Sequence, residues 1–232
     1  MKILAFVPIV MFFYNTFSQT STFAEKQAFE SFSYSSAKSD RIPSFHTKES
    51  TKGSQFLFND WVVGTAVNKD GQSVVNSVLK FNYDKLHNSL YMISENGTIY
   101  LINLQDVSSI TFNQSQTVKL EYLPNISKTE LVQLIDANSA GYKLYKTLKT
   151  KYVPSNYVST GLTESGHNYD EYVDQPEYFL FKDKEGYTKL PIKLKELKEI
   201  FKEKSLVINY LKTHKNDTID DNFMKSILSY LN

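Results

Sequence analysis

One stretch of the chain gathers residue types that could do chemistry. Residues 167–174 read His-Asn-Tyr-Asp-Glu-Tyr-Val-Asp and combine one histidine, two tyrosines and three carboxylates. Carboxylate oxygens are ligands that calcium prefers, and tyrosines beside acids could hold a sugar. The acids do not follow the order of a calcium-binding loop, so a solvated acidic loop is the alternative. The candidate binding residues in this stretch are His167, Tyr169, Asp170, Tyr172 and Asp174.

If the stretch is a solvated loop, its acids should be dispensable for folding. Substituting Asp170, Glu171 and Asp174 together by Asn or Gln would then change stability by less than about 1 kcal/mol, as is usual at the surface. A hydrolase that acts on envelope polymers is a further hypothesis, and it rests only on this stretch. Two carboxylates hydrolyse a glycoside only at a separation that the fold sets, and a sequence does not give it.

No other motif points to catalysis. GxSxG, HExxH, a Walker loop and GxGxxG are all absent from the sequence, and there is no cysteine. The four histidines, His46, His87, His167 and His214, are not spaced to share a metal ion on one helix. The sequence therefore predicts no catalytic residue, no metal site and no cofactor.

Composition and charge exclude some partners. Lys and Arg number 26 against 25 Asp and Glu, and Arg41 is the sole arginine. A nucleic-acid-binding protein of this size usually has a basic excess, so we expect no nucleic-acid partner. Apolar residues make up 41% of the 232 residues and aromatic residues 14%, which is enough for a folded core.

The N-terminus is typical of an export signal. Lys2 precedes an apolar run over residues 3–17, which is shorter than the roughly 20 residues of a membrane-spanning helix. The small residues Thr16 and Ser18 suit a cleavage site. We predict a signal peptide over residues 1–18, cleaved between Ser18 and Gln19, and a periplasmic, cell-surface or secreted protein that is not integral to the membrane. An uncleaved membrane anchor is the alternative.

Composition changes along the rest of the chain predict three parts. Residues 19–54 are rich in Ser and Thr and are interpreted as a tether, with a short helix over residues 22–32 as the alternative. Residues 55–192 show the two-residue period of an antiparallel β domain, and residues 193–232 carry helical stripes that should pack on it. The fold class is mainly β (α+β): an antiparallel meander or partly rolled open sheet or barrel with a helical tail.

Within the β domain, successive strands predict hairpins. Residues 61–67 and 73–83 form the first, with Lys80 and Asn82 on the wet face of the second strand. Residues 89–95 and 98–103 form the next around Asn96-Gly97, which favours a two-residue type I′ turn that would place Ile93 opposite Tyr100. Because both faces of this hairpin are apolar, we expect it to be central in the sheet.

Further along, the prediction alternates between hairpins and a loop. Residues 130–135 and 142–152 form a hairpin, with a helix over 128–136 as the alternative. Residues 153–176 lack a period and are predicted as a long loop, and residues 178–182 and 187–192 form the last hairpin. Three short helices follow, the last of them opened by Thr218.

Aromatic residues in the predicted strands allow two interpretations. They could line a cavity for a hydrophobic ligand, which would make the protein a carrier, or they could pack in the core. The residues in question are Trp61, Phe81, Tyr83, Tyr91 and Tyr100.

The segment that runs Gly-Ser-Gln-Phe-Leu-Phe-Asn-Asp-Trp-Val-Val-Gly over residues 53–64, together with Leu-Lys-Phe-Asn-Tyr over residues 79–83, resembles a family of uncharacterised exported proteins of Gram-negative bacteria. The resemblance covers residues 53–110 and 177–232. It implies export and a β domain with a helical tail. The family has no established activity, so no functional residue is carried over.

Together these observations favour one function over two others. The leading hypothesis is an exported, non-catalytic binding or accessory protein of the cell envelope. Its partner would be an envelope protein, a glycan or a lipid. The hydrolase and the carrier of a hydrophobic ligand are the alternatives.

Overall fold

The computed structural model describes residues 23–37, 50–113 and 116–231. The predicted signal peptide, its cleavage site between Ser18 and Gln19, and His46 lie outside these residues. The strands are, in chain order, β1 (Tyr34–Ser36), β2 (Thr51–Lys52), β3 (Val62–Asn68), β4 (Ser73–Asp84), β5 (Ser89–Ile93), β6 (Ile99–Ile102), β7 (Val107–Asn113), β8 (Thr117–Glu121), β9 (Val132–Ala137), β10 (Tyr142–Thr147), β11 (Thr150–Val153), β12 (Val158–Ser159), β13 (Glu164–Ser165), β14 (Asp170–Asp174), β15 (Tyr178–Lys182) and β16 (Gly186–Leu190). The helices are α1 (Phe23–Ser31), α2 (Leu194–Ile200), α3 (Ser205–Thr213) and α4 (Asp221–Ser229).

Eleven strands form one open sheet in the order β1-β6-β5-β4-β3-β7-β8-β9-β10-β15-β16. Neighbouring strands in it are antiparallel, which confirms the predicted fold class. Two small sheets accompany it: β11-β14-β2, in which β14 and β2 run parallel, and the pair β12-β13.

The first core lies against strands β3 to β8. Phe81, Tyr83 and Phe112 are almost completely buried there, with Leu131 from the segment before β9. The Tyr83 hydroxyl accepts a hydrogen bond from the backbone N–H of Leu131 at 3.1 Å, and burial raises the pKa of the Tyr83 hydroxyl. This buried hydrogen bond therefore joins β4 to the segment before β9 within the first core.

The second core lies between the far end of the sheet and the three C-terminal helices. Apolar side chains of β10, β15 and β16 pack against one face of each helix, with Leu197, Leu211 and Ile227 fully buried. The Asn138 amide, in the β9–β10 turn, donates to the backbone oxygens of Leu228 and Leu231 at 3.0 and 2.7 Å, and so satisfies the end of α4. At the start of α4 the cap is Asp220, whose side chain accepts from the N–H of Phe223, rather than the predicted Thr218.

The predicted tether differs from the structure over the part that is described. Residues 23–31 form α1, as the alternative interpretation held, and Ala28 and Phe32 are buried in the first core. Strand β1 then pairs with β6, with Tyr34 opposite Ile102. The Ser- and Thr-rich composition of residues 19–54 hid this helix from the sequence pattern.

The hairpin of β5 and β6 has a different turn and register from those predicted. Ile93 lies opposite Ile99, and the loop has three residues, Glu95, Asn96 and Gly97, of which only Gly97 has a positive φ, at 82°. The N–H of Ser94 donates to the oxygen of Thr98 at 3.0 Å, and the Asn96 side chain accepts from the N–H of Thr98 at 2.9 Å. Asn96 thus closes the loop with its side chain and does not need the left-handed backbone of a type I′ turn. The hairpin also lies near one edge of the sheet rather than at its centre.

We expect Gly97→Val to lower the free energy of unfolding by more than about 1 kcal/mol, because a β-branched residue resists a positive φ. A Cβ at this position would contact nothing within 4 Å, so the expected effect comes mainly from the backbone. Gly97→Asn is the matched control, since Asn tolerates this conformation, and it should cost less. Equal denaturation midpoints for the two variants would contradict the left-handed backbone at residue 97.

The structure also decides the predictions made for residues 128–192. Residues 132–137 and 142–147 form a hairpin, and the alternative helix over 128–136 is wrong. Residues 153–176 are not one long loop, because β12, β13 and β14 lie within them. The predicted last hairpin is present as β15 and β16.

Candidate functional site

The structure places the predicted stretch on a strand of a small sheet. Residues 170–174 form β14, which pairs with β11 on one side and with β2 on the other, Asp170 lying opposite Thr51. The loop prediction was wrong here because the partners of β14 are distant in sequence and leave no local period. The small sheet fixes the directions of the candidate side chains.

Two pairs of rings and one ammonium group lie at this small sheet. The ring of His167 stacks on that of Tyr169, with centroids 5.1 Å apart, and the Nζ of Lys52 lies 3.6 Å from the centre of the Tyr169 ring. The rings of Tyr152 and Tyr172 are 5.3 Å apart. The structure therefore forms two separate clusters, His167 and Tyr169 with Lys52, and Tyr172 with Tyr152. Lys52 is paired with Glu171 and Tyr152 with Tyr172, which are successive positions of β14, so Lys52 and Tyr152 point to opposite faces of the small sheet. The prediction missed Lys52 and Tyr152.

Two of the predicted acids are engaged in bonds rather than only solvated. Asp174 lies 2.7 Å from the Nζ of Lys85 and also accepts from the hydroxyl of Thr150. The side chain of Lys85 is 10% exposed and that of Asp174 60% exposed, so the acid reaches in from the surface to a buried ammonium group. These contacts differ from the expectation of a solvated acidic face.

The other engaged acid, Asp170, lies at the opposite end of β14. It accepts from the N–H of Ser155 at 2.9 Å. A hydrogen bond between Asp170 and the Tyr152 hydroxyl raises the pKa of Tyr152, because the acid favours the protonated phenol. The Asp170 side chain therefore holds β11 and the residues directly after it against β14.

Residues 53–61 join this small sheet to the large one. Gln55 accepts from the hydroxyl of Tyr172 at 3.0 Å, and its backbone oxygen accepts from the N–H of Lys85 at 2.8 Å. The N–H of Leu57 donates to the oxygen of Tyr83 at 2.9 Å. Residues 53–61 therefore hold the small sheet against the large one, and we refer to them as the connecting segment.

Buried polar residues of β4 complete this connection, and the sequence prediction missed them. Asn82, placed on the wet face by alternation, is fully buried, and its amide donates to the backbone oxygens of Phe58 and Asp60 at 2.8 and 3.1 Å. Asp84 is 2% exposed and lies 2.8 Å from the Nδ1 of His87. The signal in the sequence was a polar residue within an apolar strand, which implies a dedicated hydrogen-bond partner.

A hairpin that is exposed on both faces extends from this small sheet. Residues 154–166, which contain β12 and β13, are all exposed, and Leu162 in its turn is 96% exposed. Tyr157 and Val158 are also exposed large side chains. We refer to residues 154–166 as the exposed hairpin.

The base of the exposed hairpin is held by a set of hydrogen bonds. The hydroxyl of Ser155 and the N–H of Asn156 both donate to the backbone oxygen of His167, at 2.8 and 3.2 Å. The N–H of His167 donates back to the side chain of Asn156 at 2.9 Å. These hydrogen bonds fix the base of the exposed hairpin to His167, while the apolar side chains of the hairpin stay in solvent.

The aromatic residues of the large sheet form core rather than a cavity wall. Phe81, Tyr83 and Tyr91 are at most 3% exposed, and Phe81 and Tyr83 belong to the first core. Tyr100 is partly buried and packs against the first core, and Trp61 is half-buried. The carrier of a hydrophobic ligand stays an alternative.

The described part of the chain has neither a cluster of metal-ligating side chains nor a membrane-spanning helix. Within residues 23–37, 50–113 and 116–231, no three His, Asp or Glu side chains gather in a way that could hold a metal ion. None of the helices in the same ranges has the length and apolar character needed to cross a bilayer. No family model, no curated protein and no solved structure matches the chain.

Proposed function

We propose that the chain is an exported, non-catalytic binding or accessory protein of the cell envelope, and that it binds a protein partner through the exposed hairpin. The export part rests on the N-terminal apolar run and on the resemblance of residues 53–64. The binding part rests on one observation, the 96% exposure of Leu162 on a hairpin with a fixed base.

The exposed side chains of the hairpin are of types that gain free energy when a partner buries them. Burying a Leu side chain contributes about 1.5–3 kcal/mol, and Leu162 gains none of this within its own fold. Tyr157, 43% exposed on the same hairpin, is of a residue type that often dominates protein interfaces. A hairpin that presents Leu, Val and Tyr to solvent therefore suits an apolar pocket of another protein.

The polar residues near the hairpin support a binding role over a catalytic one. Asp84 is paired with His87, and Asp174 is paired with Lys85, so both carboxylates have structural partners. A hydrolase would need a pair of acids facing a cleft, and each of these acids is bound to a basic side chain instead. The hydrolase therefore stays the weaker alternative.

The experiment compares Leu162→Ser with Leu206→Ser. Leu206 is the matched control because it is also an exposed leucine, at 51%, but lies on α3 rather than on the exposed hairpin. Both variants should change the free energy of unfolding by less than about 0.5 kcal/mol, as surface substitutions do. Only Leu162→Ser should weaken the complex with the envelope partner, by about tenfold or more.

Equal retention of the partner by the two variants would contradict the role of the exposed hairpin. Export is tested separately by fractionation and N-terminal sequencing, which should find the protein outside the cytoplasm and beginning at Gln19. An intact Met1 on the exported protein would contradict cleavage at this site.

A further inference from the structure

The strand β16 forms one edge of the large sheet and pairs with β15 alone. Among residues 23–37, 50–113 and 116–231, no strand lies on its other side. Thr188 and Lys189, in the middle of β16, are exposed. Because an edge strand carries backbone N–H and C=O groups that a further strand can bind, the open side of β16 is a surface for strand addition.

The hydrogen-bond pattern of the neighbouring strands shows which groups of β16 point to the open side. The N–H of Thr147 in β10 donates to the backbone oxygen of Glu177, directly before β15, at 3.0 Å. Since the direction of the backbone groups alternates along an antiparallel strand, the odd-numbered residues of β15 bond to β10 and the even-numbered ones bond to β16. These lie opposite the even-numbered residues of β16. The N–H and C=O groups of Tyr187 and Lys189 therefore point away from β15.

The strand β16 lacks the usual devices that protect an edge from other strands. Its pairing with β15 runs without a bulge, and no proline lies between Gly186 and Leu190. Lys189 is the one charged residue of the strand, and its Nζ lies 2.7 Å from the Oε1 of Glu177. A strand that adds to this edge therefore meets no unpaired charge on β16.

The sequence of β16 is complementary to itself in one antiparallel register. With Thr188 opposite Thr188 of a second copy, Tyr187 lies opposite Lys189 of that copy, and Lys189 lies opposite its Tyr187. In this register the outward N–H and C=O groups of Tyr187 and Lys189 form two hydrogen-bonded residue pairs. The facing side chains are Thr with Thr and Tyr with Lys, which are favourable pairs, and no like charges are directly opposite.

The charges on either side of β16 favour the same register. The turn over residues 183–185 has two acids and one lysine, whereas residues 191–195 have two lysines and no acid. Antiparallel pairing about Thr188 brings the turn of each copy level with the basic segment of the other. Parallel pairing would place the two acidic turns side by side, where they repel each other.

We propose that β16 pairs with β16 of a second copy of this chain, antiparallel about a two-fold axis at Thr188, so that the large sheets of the two copies form one continuous sheet. The contact lies on the large sheet and does not depend on the exposed hairpin or on its protein partner. Two five-residue strands bury less than the roughly 1,200 Å² of a standard interface, so we expect a weak dimer that forms at high protein concentration.

Disulfide capture in the purified protein tests the register, because the chain has no cysteine of its own. Thr188→Cys places the single thiol at the two-fold axis, where directly opposite residues have Cα atoms about 4.5 Å apart and a disulfide can close. Lys189→Cys is the matched control on the same strand, since its Cα would lie roughly 8 Å from that of its copy, beyond disulfide reach. Under mild oxidation Thr188→Cys should give at least ten times as much covalent dimer as Lys189→Cys.

A charge exchange at Thr188 tests the pairing without oxidation. Thr188→Asp and Thr188→Lys each place like charges directly opposite at the axis, so each variant alone should self-associate at least tenfold more weakly than the wild type. An equimolar mixture of the two should restore the dimer. Sedimentation up to about 1 mM protein, the range of a weak complex, measures this. Because residue 188 is exposed, both variants should melt as the wild type does.

Three results would overturn the proposal. They are a wild type that stays monomeric throughout this concentration range, equal capture of covalent dimer by Thr188→Cys and Lys189→Cys, and a mixture of Thr188→Asp and Thr188→Lys that is no more dimeric than either variant alone.

Discussion

Replacing Gly53 by Ala is expected to lower the free energy of unfolding by more than about 3 kcal/mol, which combines a left-handed backbone penalty of about 1–2 kcal/mol with the displacement of packed backbone. Gly53 has a φ of 71°, and a Cβ at this residue would lie 2.5 Å from the backbone oxygen of Tyr172 on β14. Because that neighbour is backbone within a sheet, it cannot move aside as a flexible side chain would. The variant therefore separates the connecting segment from the small sheet.

Gly71→Ala is the matched control for this change. Gly71 has nearly the same φ, 78°, but a Cβ there would meet nothing within 4 Å. We expect it to cost about 1–2 kcal/mol, which is the backbone penalty alone. Chemical denaturation of both variants measures the difference, and equal costs would mean that the connecting segment does not lie against β14.

Removing the carboxylate of Asp174 is expected to destabilise the protein more than removing its partner's charge. Asp174→Ala leaves the ammonium group of Lys85 buried without its counter-charge, at a cost of about 2–3 kcal/mol. This figure lies below that of a fully buried pair because Asp174 is 60% exposed. Lys85→Met keeps the packing of the aliphatic stem and leaves a carboxylate that water can solvate, so it should cost less than about 1 kcal/mol.

The double variant supplies the control for this asymmetry. With Lys85→Met already present, the further change Asp174→Ala should cost little, since no buried charge is left unpaired. Urea denaturation of the wild type, the two single variants and the double variant gives the interaction free energy between Lys85 and Asp174. An equal cost for the two single variants would show that Asp174 is a solvated acid, as the sequence alone had indicated.

The fold was predictable where neighbouring elements along the chain are also neighbours in space. The hairpins of β3 with β4, of β9 with β10 and of β15 with β16 follow from two-residue alternation and turn residues, and the tail helices follow from their apolar stripes. The register of β5 with β6 was missed because Asn96 closes the loop with its side chain, a choice that the dipeptide Asn-Gly leaves open.

The candidate site was less predictable because its contacts are distant in sequence. His167, Tyr169 and Tyr172 were identified by residue type, and the structure places His167 against Tyr169 and Tyr172 against Tyr152. The partner of Asp174, however, lies 89 residues away, and that of Tyr172 lies 117 residues away at Gln55. A local pattern carries no information on such pairs, so the acids of β14 looked solvated.

The most direct test of the account is photo-crosslinking from the exposed hairpin in cells that express the full-length protein. A benzophenone amino acid placed at position 162 should give one discrete cross-linked product with an envelope protein, because this position is the most exposed apolar site of the hairpin. The same amino acid at position 206, an exposed leucine on α3, should give none. Cross-linking at position 162 that is no stronger than at position 206 would contradict the claim that the exposed hairpin binds a protein partner.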